Sequence, residues 1–137
     1  MKRILALDVG DVRIGLAYSD TLGISANPLD TWKVKGTDED FINIVNVVKK
    51  LDIGKIVVGL PLNMDGSEGD RVIKTRAFAE KLKEFIDLPI EWQDERLSSV
   101  TAEDALIEQG VRREKRKSVI DRVAAVVILR SYLDRQS

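Results

Sequence analysis

The sequence predicts one α/β domain, residues 1–137, built on a five-stranded mixed sheet: three antiparallel strands, then two parallel ones, with helices on both faces. Three observations carry this. Leu5 and Leu7 alternate with Ala6 in a run that ends at Asp8 and resumes after Gly10 as Ile14, Leu16 and Tyr18, the pattern of a hairpin. Ile56 to Leu60 is a continuous apolar run, which suits a strand covered on both faces. From Asp38 onward, helical and extended patterns alternate, and parallel strands require such helical crossovers.

Taken in order, Gly10 supplies the conformational freedom the hairpin needs, and Asp11 beside it is suited to accept local backbone hydrogen bonds. Leu22 to Asn27 reads as a loop and Pro28 to Val34 as a third strand holding Trp32. Asp38 to Leu51 reads as a helix, with acids in its first turn and Lys49 and Lys50 in its last, both favourable to the helix dipole. Its stripe is Phe41, Ile44, Val45, Val48 and Leu51. Pro61 ends the following strand, and PLNMDGSEG, Pro61 to Gly69, is a polar loop. A helix from about Asp70 to Ile86 should turn Ile73, Phe78, Leu82 and Phe85 inward. Ile90 to Asp94 is a strand, and Ser98 to Gln109 a helix capped by Ser98 or Ser99 and ended by Gly110. A last helix, from about Lys117 to Arg135, has Val119, Ile120, Val123, Ala124, Val127 and Ile128 as its buried stripe. This is the layout of a ribonuclease H-like domain, in which sites gather beyond the carboxyl ends of the parallel strands.

Composition narrows the chemistry. The chain has no Cys and no His, which removes the Ser-His-Asp triad, the thiolate nucleophile, imidazole metal ligands, zinc clusters and disulfides. Any metal site must be made of oxygen, and oxygen sites suit Mg²⁺ or Mn²⁺, ions that polarise phosphoryl groups. The 22 basic residues nearly balance the 23 acidic ones, so overall charge does not announce a nucleic-acid partner. The N-terminal MKRILAL is too short for a signal peptide, and no apolar run approaches a membrane span, so a cytoplasmic protein with no membrane partner is expected.

The candidate chemistry lies in three acids. Asp8, at the end of an apolar strand, loses solvation there and calls for a counter-charge such as a bound cation; the plainer alternative is an acid that caps a turn. In DERLSS, adjacent acids at a strand end face opposite ways, so only one of them joins Asp8: Glu95 by reach, with Asp94 as the alternative. Asp121 lies beside the stripe of the last helix, one turn before Ala125, where Ala124 and Ala125 permit close approach to the sheet. A salt bridge to Arg122 or Lys117 is its plainer role. Three converging carboxylates are what two-metal hydrolysis requires, with ions roughly 3.5 to 4 Å apart. Nucleic-acid contacts are expected from Arg13, Arg96, and Arg112, Arg113, Lys115, Arg116 and Lys117 of the run RREKRK. Arg71, Lys74, Arg76, Lys81 and Lys83 add charge on the second helix.

The segments DVGDVRIGLAYSD, GLPLNMDGSEG, DERLSS and KSVIDRVAAVVIL, in this order across nearly the whole chain, resemble the YqgF/RuvX family of ribonuclease H-like proteins. That family is described as Holliday-junction-resolvase-like enzymes and as nucleases maturing the 5′ end of pre-16S ribosomal RNA. The resemblance implies Asp8, Glu95 and Asp121 as metal-binding acids, with Mg²⁺ or Mn²⁺ as cofactor. Many related resolvases carry a fourth acid or a histidine near the last acid; Ala124 and Ala125 stand here, which weighs against a second tightly held metal. The leading expectation is a metal-dependent endonuclease processing pre-16S rRNA, as monomer or homodimer. A resolvase of branched DNA and a non-catalytic module binding RNA, a ribosome-assembly or a transcription partner are the alternatives. The pattern DxGxxxxG from Asp8 also resembles the phosphate hairpin of actin-like and sugar kinases, but those need two such domains, and Arg13 stands where small hydroxylated residues are expected.

Overall fold

The computed structural model describes residues 2–63, 65–94 and 113–136, with backbone only for 113–122. Within them lie β1 (Arg3–Val9), β2 (Arg13–Ser19), β3 (Ala26–Lys33), α1 (Glu39–Leu51), β4 (Ile53–Leu60), α2 (Asp70–Leu82), β5 (Ile90–Asp94) and α3 (Arg113–Gln136). The helix expected over Ser98 to Gln109 lies outside the described residues.

The strand order is β3-β2-β1-β4-β5. β1 pairs antiparallel with β2, and β2 with β3, while β1–β4 and β4–β5 are parallel. The expected mixed sheet is therefore present, with β1 at its centre. Alternation along β1 divides the core. Leu5 and Leu7 join Ile14, Leu16, Ile56 and Val58 beneath Phe41, Ile44 and Leu82 of α1 and α2. On the opposite face Ala6, Ala17 and Val57 meet Ala125, Ile128, Leu129, Tyr132 and Leu133 of α3. The small strand residues on the second face are what allow one helix to lie close to three strands.

Several boundaries moved for local reasons. β4 begins three residues earlier than its apolar run, because α1 ends on Asp52 in the left-handed conformation (φ 55°, ψ 55°), with its N–H bonded to Val48 O, and the chain enters the sheet at once. β3 starts at Ala26, shortening the preceding loop. α2 stops at Leu82 and closes with tighter turns, Glu84 N to Lys81 O and Phe85 N to Leu82 O. Its buried residues are Val72, Thr75, Ala79 and Leu82, whereas Ile73, expected inside, is 65% exposed. The sequence of α2 contains two helical phases that share Leu82, and packing on the sheet selects the one with the smaller side chains. α3 likewise buries Ala124, Ala125, Ile128, Leu129, Tyr132 and Leu133, rotated from the expected stripe, with Val123 and Val127 only half-buried. It also starts at Arg113, so most of the basic run lies inside its first turn instead of preceding the helix.

Candidate active site

Asp8 sits at the carboxyl end of the central strand and is only 6% exposed. Two residues after Ala6, it lies on the α3 face of the sheet. Its neighbours across the sheet set the character of the site. On β2 it pairs with Gly15. On β4 the register that matches Leu7 to Val58 brings Gly59 alongside. Both glycines are buried and neither contributes a side chain, so the carboxylate is flanked on both neighbouring strands by backbone alone. Sequence gives little sign of this floor, because Gly59 lies within the strand run Ile56 to Leu60 and carries no side chain to mark it. The signal available was its placement between Val58 and Leu60 on a strand that must pair with the one holding Asp8.

The turn that carries the acid is tightly built. Gly10 N–H donates to Arg13 O at 2.9 Å, and a Cβ on Gly10 would lie 2.8 Å from that oxygen. Glycine is required there by contact, not merely favoured by propensity. Asp11, expected to hold local backbone groups, forms an ion pair with Lys74 of α2 at 3.5 Å. Arg13 opens β2 on the same face as Gly15 and Ala17, hence on the side and at the end of the sheet that hold Asp8. The loop after β4 emerges at this end as well. It is knitted by its own bonds: Asn63 N to Ser67 O at 2.9 Å, Gly66 N to Asn63 O at 2.8 Å, and Ser67 N to the Asp65 carboxylate at 2.9 Å.

The direction of α3 follows from its contacts. Tyr132 meets Lys55 at the start of β4, while Ala125 packs with Ala6 and Val57 in mid-sheet. The helix therefore runs antiparallel to β1 and β4. From Tyr132 back to residue 121 the helix covers roughly 16 Å; from Lys55 to Leu60 the strand climbs roughly the same distance. The backbone of residue 121 is thus carried to the end of the sheet that bears Asp8.

Asp94 behaves differently. β5 alternates, with Ile90 and Trp92 packed on the α1 and α2 side and Glu91 touching Tyr132 on the other. Asp94 falls in phase with Trp92, on the face opposite Asp8, and is exposed. Glu95, Arg96 and Arg112 lie outside the described residues, as do the side chains of Asp121, Arg113, Lys115, Arg116 and Lys117. Among the described residues no three acids cluster closely enough to hold a metal ion.

A central strand ending in a buried acid, in a mixed sheet of this order, is the architecture of the ribonuclease H-like fold. A family profile described as "RuvX: Holliday junction resolvase" matches residues 2–135, and the chain belongs to that family. A protein of Halothermothrix orenii named "Putative pre-16S rRNA nuclease" is 48% identical over 135 residues, 98% of this chain and 96% of the relative. One of Streptococcus thermophilus with the same name is 45% identical over 136 residues, 97% and 98% of the two chains. Among solved structures, T. thermophilus RuvC in complex with a Holliday junction substrate superposes with a TM-score of 0.55 at 13% identity, covering 100% of this chain and 97% of that one. The fowlpox virus Holliday junction resolvase gives 0.59 at 11% identity, over 97% and 99%. At these identities the two structures speak to the fold. The relatives named as nucleases, matched from end to end, make this chain a nuclease.

Proposed function

We propose that the chain is a divalent-metal-dependent endonuclease in which Asp8, Glu95 and Asp121 hold the metal, and that its substrate is the 5′ region of precursor 16S ribosomal RNA. The observation that carries this is the buried Asp8 on its glycine floor at the carboxyl end of the central strand. A carboxylate in that position, in a chain without His or Cys, suits a hard cation and phosphate oxygens. Mg²⁺ or Mn²⁺ bound there supplies charge neutralisation at the phosphoryl group and lowers the pKa of water.

The chain's own residues do the rest. Asp8 is held rigid by two flanking strands, which fixes the position of its oxygens before substrate arrives. Arg13, on the same face, suits bidentate contact with a phosphate. α3 brings residue 121 to this end, and the alternation that turns Asp94 away favours Glu95 as the second acid. Ala124 and Ala125, fully buried against the sheet, offer no further oxygen, which supports one tightly held metal. The basic run from Arg112 to Lys117, with Arg96, would steady the backbone of the nucleic acid. Among the described residues no helix is long and apolar enough to cross a membrane, and the reading places the protein in the cytoplasm, as monomer or homodimer.

The family description favours a second reading, resolution of branched DNA. Cleavage of end-labelled precursor rRNA and of a four-way DNA junction, side by side in Mg²⁺ and Mn²⁺, separates the two. Cleavage of the RNA alone, lost in Asp8→Asn, is the expected result. Cleavage of the junction alone would replace the substrate, and binding of either without cleavage would leave only a non-catalytic module.

A further inference from the structure

On the face of the sheet opposite Asp8, a cleft of about 340 Å³ opens between the hairpin turn, the start of α1 and the outer side of α2. Its size is that of a small-ligand site. Val9 and Gly10 form one wall, Phe41 and Phe78 the floor, and Lys74 and Lys81 stand at the rim. Lys74, Phe78 and Lys81 lie on one face of α2, next to its buried stripe.

The chemistry of this lining is specific. Phe78 is half-buried and packs on Phe41, ring centroids 4.8 Å apart, while Phe41 also stacks on Phe85 at 5.2 Å. The inner ring is thus occupied, and the outer ring remains partly open to the cleft. The buried Asp40 in the lining does not present its charge there: its oxygens accept the N–H groups of Lys35 and Gly36, each at 3.0 Å. The two ammonium groups rest on exposed acids, Lys74 on Asp11 at 3.5 Å and Lys81 on Asp38 at 3.3 Å. Such exposed pairs are weak and readily exchanged for a phosphate. An aromatic floor under a rim of two cations is what a nucleotide of unpaired nucleic acid requires, a π-face for its base and positive charge for its backbone. Gly10 is two residues beyond Asp8, roughly 7 Å along the chain, so the cleft adjoins the candidate cleavage point around the carboxyl end of β1.

We propose that this cleft takes one unstacked base of the RNA strand beside the cleavage point, the base lying on Phe78 and its phosphate between Lys74 and Lys81. The inference rests on the nuclease reading above and adds to it a preference for single-stranded flanks. The test uses the full chain carrying Asp8→Asn, so that binding is measured without cleavage, and a short single-stranded RNA labelled with 2-aminopurine. Changing both Lys74→Gln and Lys81→Gln should weaken binding about tenfold and lower the salt slope by about one, with a clearly smaller loss on a blunt RNA duplex. Phe78→Leu, which keeps an apolar side chain but removes the ring, should remove the change in 2-aminopurine fluorescence. Wild-type affinity and salt slope in the double lysine variant would overturn the inference, as would an equal loss on the duplex. The two readings fail separately. If the wild-type chain cuts RNA through Asp8 and the lysine variant binds normally, only the cleft is lost; if no nucleic acid is cut but the lysine and Phe78 effects appear, the cleft stands and catalysis falls.

Discussion

The face of the sheet under α3 carries two polar clusters, one at each end, and they are built on opposite principles. At the amino ends of β4 and β5, large side chains satisfy one another. Lys55 donates to the Tyr132 hydroxyl at 3.1 Å and pairs with Glu91 at 3.6 Å, and Tyr132 donates to the Glu91 carboxylate. Arg135 lies 5.4 Å from the Tyr132 ring, and the tyrosine is wholly buried. At the carboxyl end, Asp8 is nearly as buried but has glycines on both strand flanks. What differs is how the flanking strand positions are occupied: by large polar side chains around a buried tyrosine at one end, and by glycine backbone beside a buried carboxylate at the other. The first arrangement, in which the side chains satisfy one another, contributes to stability; the second holds the carboxylate at the position where the chemistry is proposed.

The strongest way to break this comparison is Asp8→Asn. If the acid exists for chemistry, the substitution should lower cleavage by about 10³-fold or more and leave the melting temperature unchanged or higher, because a functional carboxylate is held at some expense of stability. A variant that unfolds with its cleavage intact per folded molecule would make Asp8 a structural acid. The floor has its own test. Gly59→Val puts a branched side chain beside the carboxylate at a buried position and should depress cleavage more than tenfold while costing about 1–3 kcal/mol through overpacking. Denaturant melts set beside cleavage rates show whether activity falls further than the folded fraction; if the two fall together, glycine at 59 has no role beyond packing.

Much of this was legible in the sequence, and the part that was not has a physical pattern. The hairpin, the central strand with its terminal acid and the α1 stripe follow from alternation and from Gly10, because a strand or helix that buries one face must write that face into its sequence. The phase of α2 was ambiguous, since Ile73 and Val72 are equally apolar and only packing chooses between them. Gly15 and Gly59 carry no side-chain signal, and their importance appears only when three strands are set in register. The Tyr132 cluster joins residues as far apart as 55, 91 and 132, a proximity that no local pattern encodes. Convergence of Asp8, Glu95 and Asp121 was inferred from topology and resemblance; the direction of α3 and the phase of β5 support it for the backbone of 121 and against Asp94.

The Tyr132 cluster should respond to substitution in the opposite way. Tyr132→Phe keeps the ring in the core and removes the hydroxyl that both Lys55 and Glu91 touch. It should cost about 1–2 kcal/mol, read as a shift in the urea midpoint, with cleavage per folded molecule unchanged. A variant that folds normally but cuts RNA slowly would show that the two ends of the face are coupled, and that the division between them is wrong.

The smallest effect is in pH. The Tyr132 hydrogen bond, aided by the nearby Lys55 and Arg135 charges, holds the Glu91 carboxyl below its ordinary value of 4.5. A depressed acid binds fewer protons in the folded state than in the unfolded one, so its stabilisation is present above the unfolded value and fades as pH falls through the folded one. The Tyr132 hydrogen bond likewise raises the Lys55 pKa, and burial raises that of Tyr132 itself. For both, the folded state holds its proton longer, so their stabilisation is complete below the unfolded values and fades as pH rises through the folded ones. Glu91 is 44% exposed on its side chain, and solvent screening keeps its share modest. Melting temperatures followed downward from pH 6 should therefore decline slightly less steeply below about 4.5 in Glu91→Gln than in the wild type. Equal slopes would mean that Tyr132 holds the carboxylate no more firmly than water does, and the network would then owe its stability to packing of the tyrosine ring alone.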